Sequence, residues 1–389
     1  MNEQNLRSEA GSLVTPFGDL ISGGSGEVKA FVLFDTLKGL VEAPGVAGNE
    51  NTAAAAALEM LREYAPDAAL DRHGSVVGII GDDENKPLLL LDAHIDQIGL
   101  IITHINEQGF LKAEPCGGID RRVLAGQRVS IHGGECRKEA ATVCTLPPHV
   151  LSGKNADKAM KADSIWLDAG FANKDAALES VALGDFATID GELTQLTRLC
   201  DKTVTSSALD DRAGVCAILY ALHLLERSTK GDFNQLPWRI AVSFSVQEEL
   251  GCRGAGVVAY NTEPDCAIIV DVSFAASGNL AAREGKVGEL GKGAMLGYAP
   301  ALNRTMFEML KNTAIDCNLP YQSEIMNGDT GGTNADTVSV AKGGVKTALV
   351  SIPLRYMHTP VEVADLGDIE SAGMLIARFI EGGIEGGVI

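Results

Sequence analysis

The sequence predicts an α/β protein with a mostly parallel, doubly wound sheet interrupted by a small β-rich insertion. Three observations carry that reading. Short apolar runs alternate with segments of helical period over 31–106 and again from Asp210 onward, the rhythm of β-α-β units. Between Gly109 and about Leu199 the texture changes to short β-like pieces separated by Gly and Pro. Several apolar runs also end abruptly in charged residues, and the carboxyl ends of strands are where open α/β sheets place their functional crevice.

Taken in order, residues 1–28 carry Gly23-Gly24-Ser25-Gly26 and little periodicity, and are read as an N-terminal extension. A helix is expected over 31–42, broken by Pro44-Gly45, and a second over 50–64 with Leu58, Leu61 and Tyr64 at helical spacing. Strands are expected over 76–80 and 88–91. The insertion, set at 107–199, offers β-like pieces at 110–112, 127–131, 142–144 and 165–167. The catalytic part, 29–106 and 200–389, resumes with a helix from Asp210 to about Arg227. Its stripe is Val215, Ile218, Leu219, Leu222 and Leu225. Strands at 239–246, 266–272 and 346–352 and helices near 301–317 and 365–381 complete the pattern.

The formal net charge of −20 argues against nucleic acid or an anionic membrane as partner. No apolar run approaches the roughly twenty residues that span a bilayer, and residues 1–12 lack a signal core. The eight cysteines contain no C-x-x-C pair, which argues against a thiolate zinc cluster and suits reduced thiols. The expectation is a soluble, cytoplasmic protein.

Gln247-Glu248-Glu249 is the most informative stretch. Two adjacent carboxylates close the apolar run 239–246, and burying a carboxylate is costly unless a cation or proton shares the site. The run 87–91 leads into Asp92-Ala93-His94-Ile95-Asp96, the run 267–270 delivers Asp271, Asp210-Asp211 opens a helix, and the run 350–354 leads to His358. Imidazole and carboxylate together suit divalent metals such as zinc or cobalt. Asp210, mid-chain at a loop-to-helix junction, is the candidate bridge between two cations. His94 and Asp271 would complete one site, and Glu249 and His358 the other. Glu248 remains as the general base, and Asp96 can orient the His94 imidazole from behind. Each member also has an ordinary reading: His358 as a surface or capping histidine, Asp210 and Asp211 as helix N-terminal acids, Asp271 as a turn residue. Their joint occurrence at strand ends favours the metal site.

These segments resemble metallopeptidase family 42, the glutamyl aminopeptidase group of dinuclear metallo-aminopeptidases also labelled endoglucanase M. The matching stretches are 93–99, 208–214, 246–255, 269–272 and 355–360. Within the insertion they are Cys116-Gly117-Gly118-Ile119-Asp120, Pro147-Pro148-His149 and Leu167-Asp168-Ala169-Gly170. The resemblance runs from about residue 30 to the end. It implies a zinc-peptidase-like sheet with a β-barrel-like, dimerising inserted domain. It implies two divalent metal ions per subunit on His94, Asp210, Glu249, Asp271 and His358, with Asp210 rather than Asp211 bridging and Glu248 as base. Short peptides are the implied substrates, opened at the N-terminal residue by a metal-bridging hydroxide, and a homo-oligomer, often a dodecamer, the implied assembly. One departure is that the family's Gly-Thr-Asp-Ala loop reads Gly332-Thr333-Asn334-Ala335 here. A metal-dependent deacylase or amidase of N-acyl amino acids is the alternative reading. An endoglucanase fits less well, because glycosidases separate their two carboxylates across the bond they cut. A non-catalytic oligomeric scaffold predicts broken ligands, whereas here the set is intact.

Overall fold

A computed structural model describes residues 31–133, 137–146, 159–196 and 202–382. The extension at 1–28 and the segment Pro147-Pro148-His149 lie outside the described residues. In chain order, α1 (Leu33–Val41), α2 (Asn51–Leu61), β1 (Ala69–Leu70), β2 (Val76–Ile80) and β3 (Leu88–His94) come first. Then follow β4 (Gly99–Ile105), β5 (Leu111–Cys116), β6 (Arg128–His132), β7 (Lys138–Val143), β8 (Ile165–Asp168), α3 (Lys174–Leu178) and β9 (Phe186–Ile189). After β10 (Thr194–Gln195) and β11 (Thr203–Ser206) the chain forms α4 (Leu209–Thr229), β12 (Arg239–Ser245), α5 (Arg253–Thr262) and β13 (Cys266–Phe274). It ends with β14 (Ala294–Tyr298), α6 (Arg304–Asp316), β15 (Tyr321–Ile325), α7 (Asn334–Val338), β16 (Lys346–Leu354), β17 (Glu362–Asp365) and α8 (Leu366–Gly382).

The main sheet has eight strands in the order β1-β2-β12-β3-β13-β16-β14-β15. Its centre, β12-β3-β13-β16, is parallel, as is the β14/β15 pair, while β1/β2, β2/β12 and β14/β16 are antiparallel. The central strands read as continuous apolar runs because both faces are covered. Leu89 and Leu91 of β3 join a core with α1, α2, α4, α6 and α8, while Leu88 and Leu90 join a second core with α5 and α7. The parallel strands, helices on both faces and inserted β domain match the expected fold class.

Strands β4-β5-β8-β7-β6-β9 close into a six-stranded barrel around Leu100, Ile102, Leu111, Val129, Ile131 and Leu167. Its first strand, β4, precedes the boundary expected at residue 107: the apolar residues Leu100, Ile101, Ile102 and Ile105 look the same in a sheet or a barrel. Strands β14 and β15 and helices α5 and α7 were not anticipated. They are short, and the glycines around them dilute any periodicity.

On the α5/α7 face, the parallel strands turn polar over their last residues. Asp92 and His94 follow Leu90, Ser243 and Ser245 follow Ala241, Asp271 and Ser273 follow Ile269, and Ser351 follows Leu349. Period-two alternation puts each of these on the face its apolar predecessor occupies. The sheet thereby builds a polar floor at its carboxyl edge.

Candidate metal centre

His94 is the last residue of β3, buried at 1% exposure, and its two ring nitrogens face different acids. Nε2 lies 3.0 Å from Asp210 Oδ1 and 3.9 Å from Asp271 Oδ1. Nδ1 lies 3.1 Å from the backbone carbonyl of Asp96 and 3.5 Å from its Oδ1. His358, reached from the end of β16, points Nε2 at Asp210 Oδ2 (3.5 Å) and at Glu249 Oε1 (3.4 Å). Its Nδ1 sits 2.9 Å from the carbonyl of Gly118, which belongs to the turn after β5. Two donor groups result, His94–Asp210–Asp271 and Asp210–Glu249–His358, each with its ligand atoms within 4.8 Å of one another. Asp210 belongs to both.

The local backbone explains these positions. Asp210 and Asp211 stand at the head of α4 with non-helical φ/ψ of −79°/106° and −116°/40°. Asp211 turns inward: its carboxylate accepts the backbone N–H of His94 at 3.3 Å and of Gly214 at 2.9 Å. At Gly214 a Cβ would lie 2.4 Å from Asp211 Oδ1, which explains the glycine in Asp210-Asp211-Arg212-Ala213-Gly214. Glu248 and Glu249 occupy the turn between β12 and α5, and Gln247 takes φ +59°. Asp96 fixes that turn. Its Oδ1 accepts the N–H of Glu248 and its Oδ2 that of Glu249, both at 3.0 Å. Asp96 therefore supports the site mainly through the two glutamates' backbone, and holds His94 chiefly through its own carbonyl.

Three buried residues escaped the sequence reading. Glu362, 1% exposed, accepts the N–H of Asp210 at 3.1 Å and of His358 at 2.9 Å, one on each carboxylate oxygen. A lone acid opening a four-residue strand gave little signal. Arg212, fully buried, donates through Nη1 to the carbonyls of Leu40 and Ala43 and counters Asp96, Asp211 and Glu50. Asp92 accepts from Asn334 Nδ2 at 2.8 Å and Ser245 Oγ at 3.3 Å, so Asn334 is spent beneath the site.

The titratable groups of the site are strongly shifted by burial and by one another. Burial pushes Glu248 up to about 7, with Glu249, Asp96 and Asp210 adding to the rise and His94 opposing it. Burial, then the charges of Glu248 and Asp210, hold Asp271 well above the usual carboxylate range against His94. Bonds to Asp210 and Glu249 push His358 up to about 11, against burial. Burial would depress His94, but Asp210 and Asp96 outweigh it and hold the ring well above its ordinary value. Metal–ligand bonds of roughly 2.0–2.2 Å put tetrahedral ligand atoms about 3.3–3.6 Å apart. The contacts of 3.0 to 3.9 Å within the two groups suit that donor set.

A sequence profile described as M42 glutamyl aminopeptidase matches residues 74–375, most of the chain. The chain belongs to that family. This M42 protein is 31% identical to the lysyl aminopeptidase of Pyrococcus furiosus over 90% of its own length and 96% of the relative's. An aminopeptidase from the archaeon Desulfurococcus kamchatkensis shares its structure at 30% identity and a TM-score of 0.82, covering 92% of this chain and 98% of that one. The TET1 peptidase of Pyrococcus horikoshii, at 29% identity, gives a TM-score of 0.77 over 90% and 99%. As an M42 member the protein is a peptide hydrolase, a metal-dependent aminopeptidase using divalent cations. No helix among the described residues is long and apolar enough to cross a membrane.

Proposed function

We propose that this M42 aminopeptidase removes the N-terminal residue of short peptides using two divalent cations per subunit, zinc or cobalt. His94, Asp210 and Asp271 would hold one cation; Asp210, Glu249 and His358 would hold the other. The observation that carries this is the placement of Asp210, whose two carboxylate oxygens face different histidines, Oδ1 toward His94 and Oδ2 toward His358. Asp211 is already committed to two backbone N–H groups. When bound, such a pair of cations supplies Lewis acidity at the scissile carbonyl and lowers the pKa of a water to about 7.

The protein's own groups do the rest. Glu248 belongs to neither donor group, and it takes the proton of the attacking water and delivers it to the departing amine. Asp96 holds the Glu248–Glu249 turn while that proton moves, and Glu362 holds the backbone of Asp210 and His358. Acid and amine are released, with one water consumed.

We place the enzyme in the cytoplasm, where the six free cysteines among the described residues stay reduced. The inserted barrel is our candidate for the dimerising domain, and a large homo-oligomer for the working form. The solved TET1 peptidase is described as assembling into a tetrahedron or a large octahedral shell. A panel of aminoacyl-p-nitroanilides, free and N-acetylated, tests the chemistry on metal-stripped and zinc- or cobalt-refilled protein. Cleavage should require metal and a free amine, and E248Q should lower kcat by about 10²-fold or more. Cleavage of the acetylated set, or an active E248Q, contradicts the proposal.

A further inference from the structure

We propose that the Cys252 thiol is a positioning residue for Glu248, donating its S–H to the carboxylate and anchoring it to the glycine loop at 328–333. This rests on the reading of Glu248 as general base.

Cys252 Sγ lies 3.4 Å from Glu248 Oε1 and 3.4 Å from the carbonyl oxygen of Gly332. Its position is imposed by the backbone. The carbonyl of Glu248 accepts the N–H of Gly251 at 2.8 Å and of Cys252 at 2.9 Å, and Cys252 takes a left-handed φ of +54° just before α5. The residue is therefore bonded to Glu248 twice, once through its backbone and once through its side chain. It is 7% exposed, and burial followed by the Glu248 charge drives the thiol well up, so it stays protonated and can act only as a donor toward these oxygens.

One S–H proton faces two acceptors. While Glu248 is anionic, the charge-assisted bond to Oε1 is the stronger of the two. Once Glu248 has taken the water proton, the thiol can turn to the Gly332 carbonyl. While the thiol holds Oε1, the second oxygen of the carboxylate is left for the water. Asn334 fixes the loop from its other end, donating to Asp92 and to Ser245 Oγ at 2.9 Å. Glu248 is thus held by Asp96 through its backbone and by Cys252 through its carboxylate.

A double-mutant cycle on the metal-replete enzyme tests this, with kcat, KM and metal content measured for wild type, C252A, E248Q and C252A/E248Q. C252A should lower kcat about tenfold, equivalent to ~1.4 kcal/mol, with KM and metal content unchanged. In the E248Q background the same change should alter kcat by less than about twofold, because the group it positions is gone. C252S, which keeps a donor on a shorter arm, should recover part of the loss. An equal loss in both backgrounds, a loss of metal in C252A, or a C252S no better than C252A would show a merely structural role and overturn the proposal. E248Q retaining wild-type kcat would overturn the base assignment, and this proposal with it.

Discussion

Asp96→Asn is the perturbation with the most specific expected signature. Each Asp96 oxygen accepts one backbone N–H at 3.0 Å, from Glu248 and from Glu249. Asparagine offers one acceptor oxygen, and its amide would direct N–H at the other N–H. One bond to a charged acceptor is lost in a fully buried position, a cost of about 1.5–3 kcal/mol. His94 should be less affected, because its Nδ1 lies 3.1 Å from the Asp96 carbonyl, which the substitution leaves in place. The loss therefore falls on the turn carrying the base and one ligand, and kcat/KM should drop by about 10–100-fold. Steady-state kinetics at saturating metal, with chelator competition for metal affinity, reads both effects. A D96N enzyme within twofold of wild type in both would refute the claim that this carboxylate positions the turn.

Other substitutions test the surroundings. E362Q leaves either Asp210 N–H or His358 N–H without its acceptor and should weaken cation affinity about tenfold, as read by calorimetric titration. N334D places a second carboxylate 2.8 Å from Asp92 Oδ2 in a buried site; it should cost roughly 3 kcal/mol in denaturant unfolding, and D92N/N334D should restore most of that. Burial pushes Asp368 up to about 7, against its bonds from the N–H groups of Gly291 and Gly293. Because the folded state holds this proton more tightly than the unfolded chain, its ionisation is a cost absent below about pH 4 and complete above about pH 7, at most ~4 kcal/mol. Wild type should therefore lose stability relative to D368N as pH rises through that window in chelator, and a pH-independent difference would contradict the assignment.

The residues that end long apolar runs were legible because a buried strand closing in charge is rare and conspicuous. His94, Asp271 and the Glu248-Glu249 pair each stand out that way, and the fold class followed from the same runs. Asp210 and Asp211 were harder to separate, since adjacent acids at a helix start look alike; only the geometry shows Asp211 turned to backbone donors and Asp210 turned to two histidines. Glu362 acts through backbone N–H groups that leave no trace in sequence. The pairing of Asp92 with Asn334 spans 242 positions, and no local pattern joins them. Cys252 looks like a small apolar residue until the turn folds its thiol onto Glu248. β4 shows the same limit at the level of topology: its barrel membership depends on partners as far along the chain as β9.

The most direct test of the shared-ligand account is the cation stoichiometry and affinity of wild type and Asp210→Ala, measured by calorimetric titration of metal-stripped protein and elemental analysis. Two cations per subunit in wild type, with tight binding lost at both sites in D210A, is the predicted result. A D210A protein that still holds one cation at wild-type affinity would contradict it.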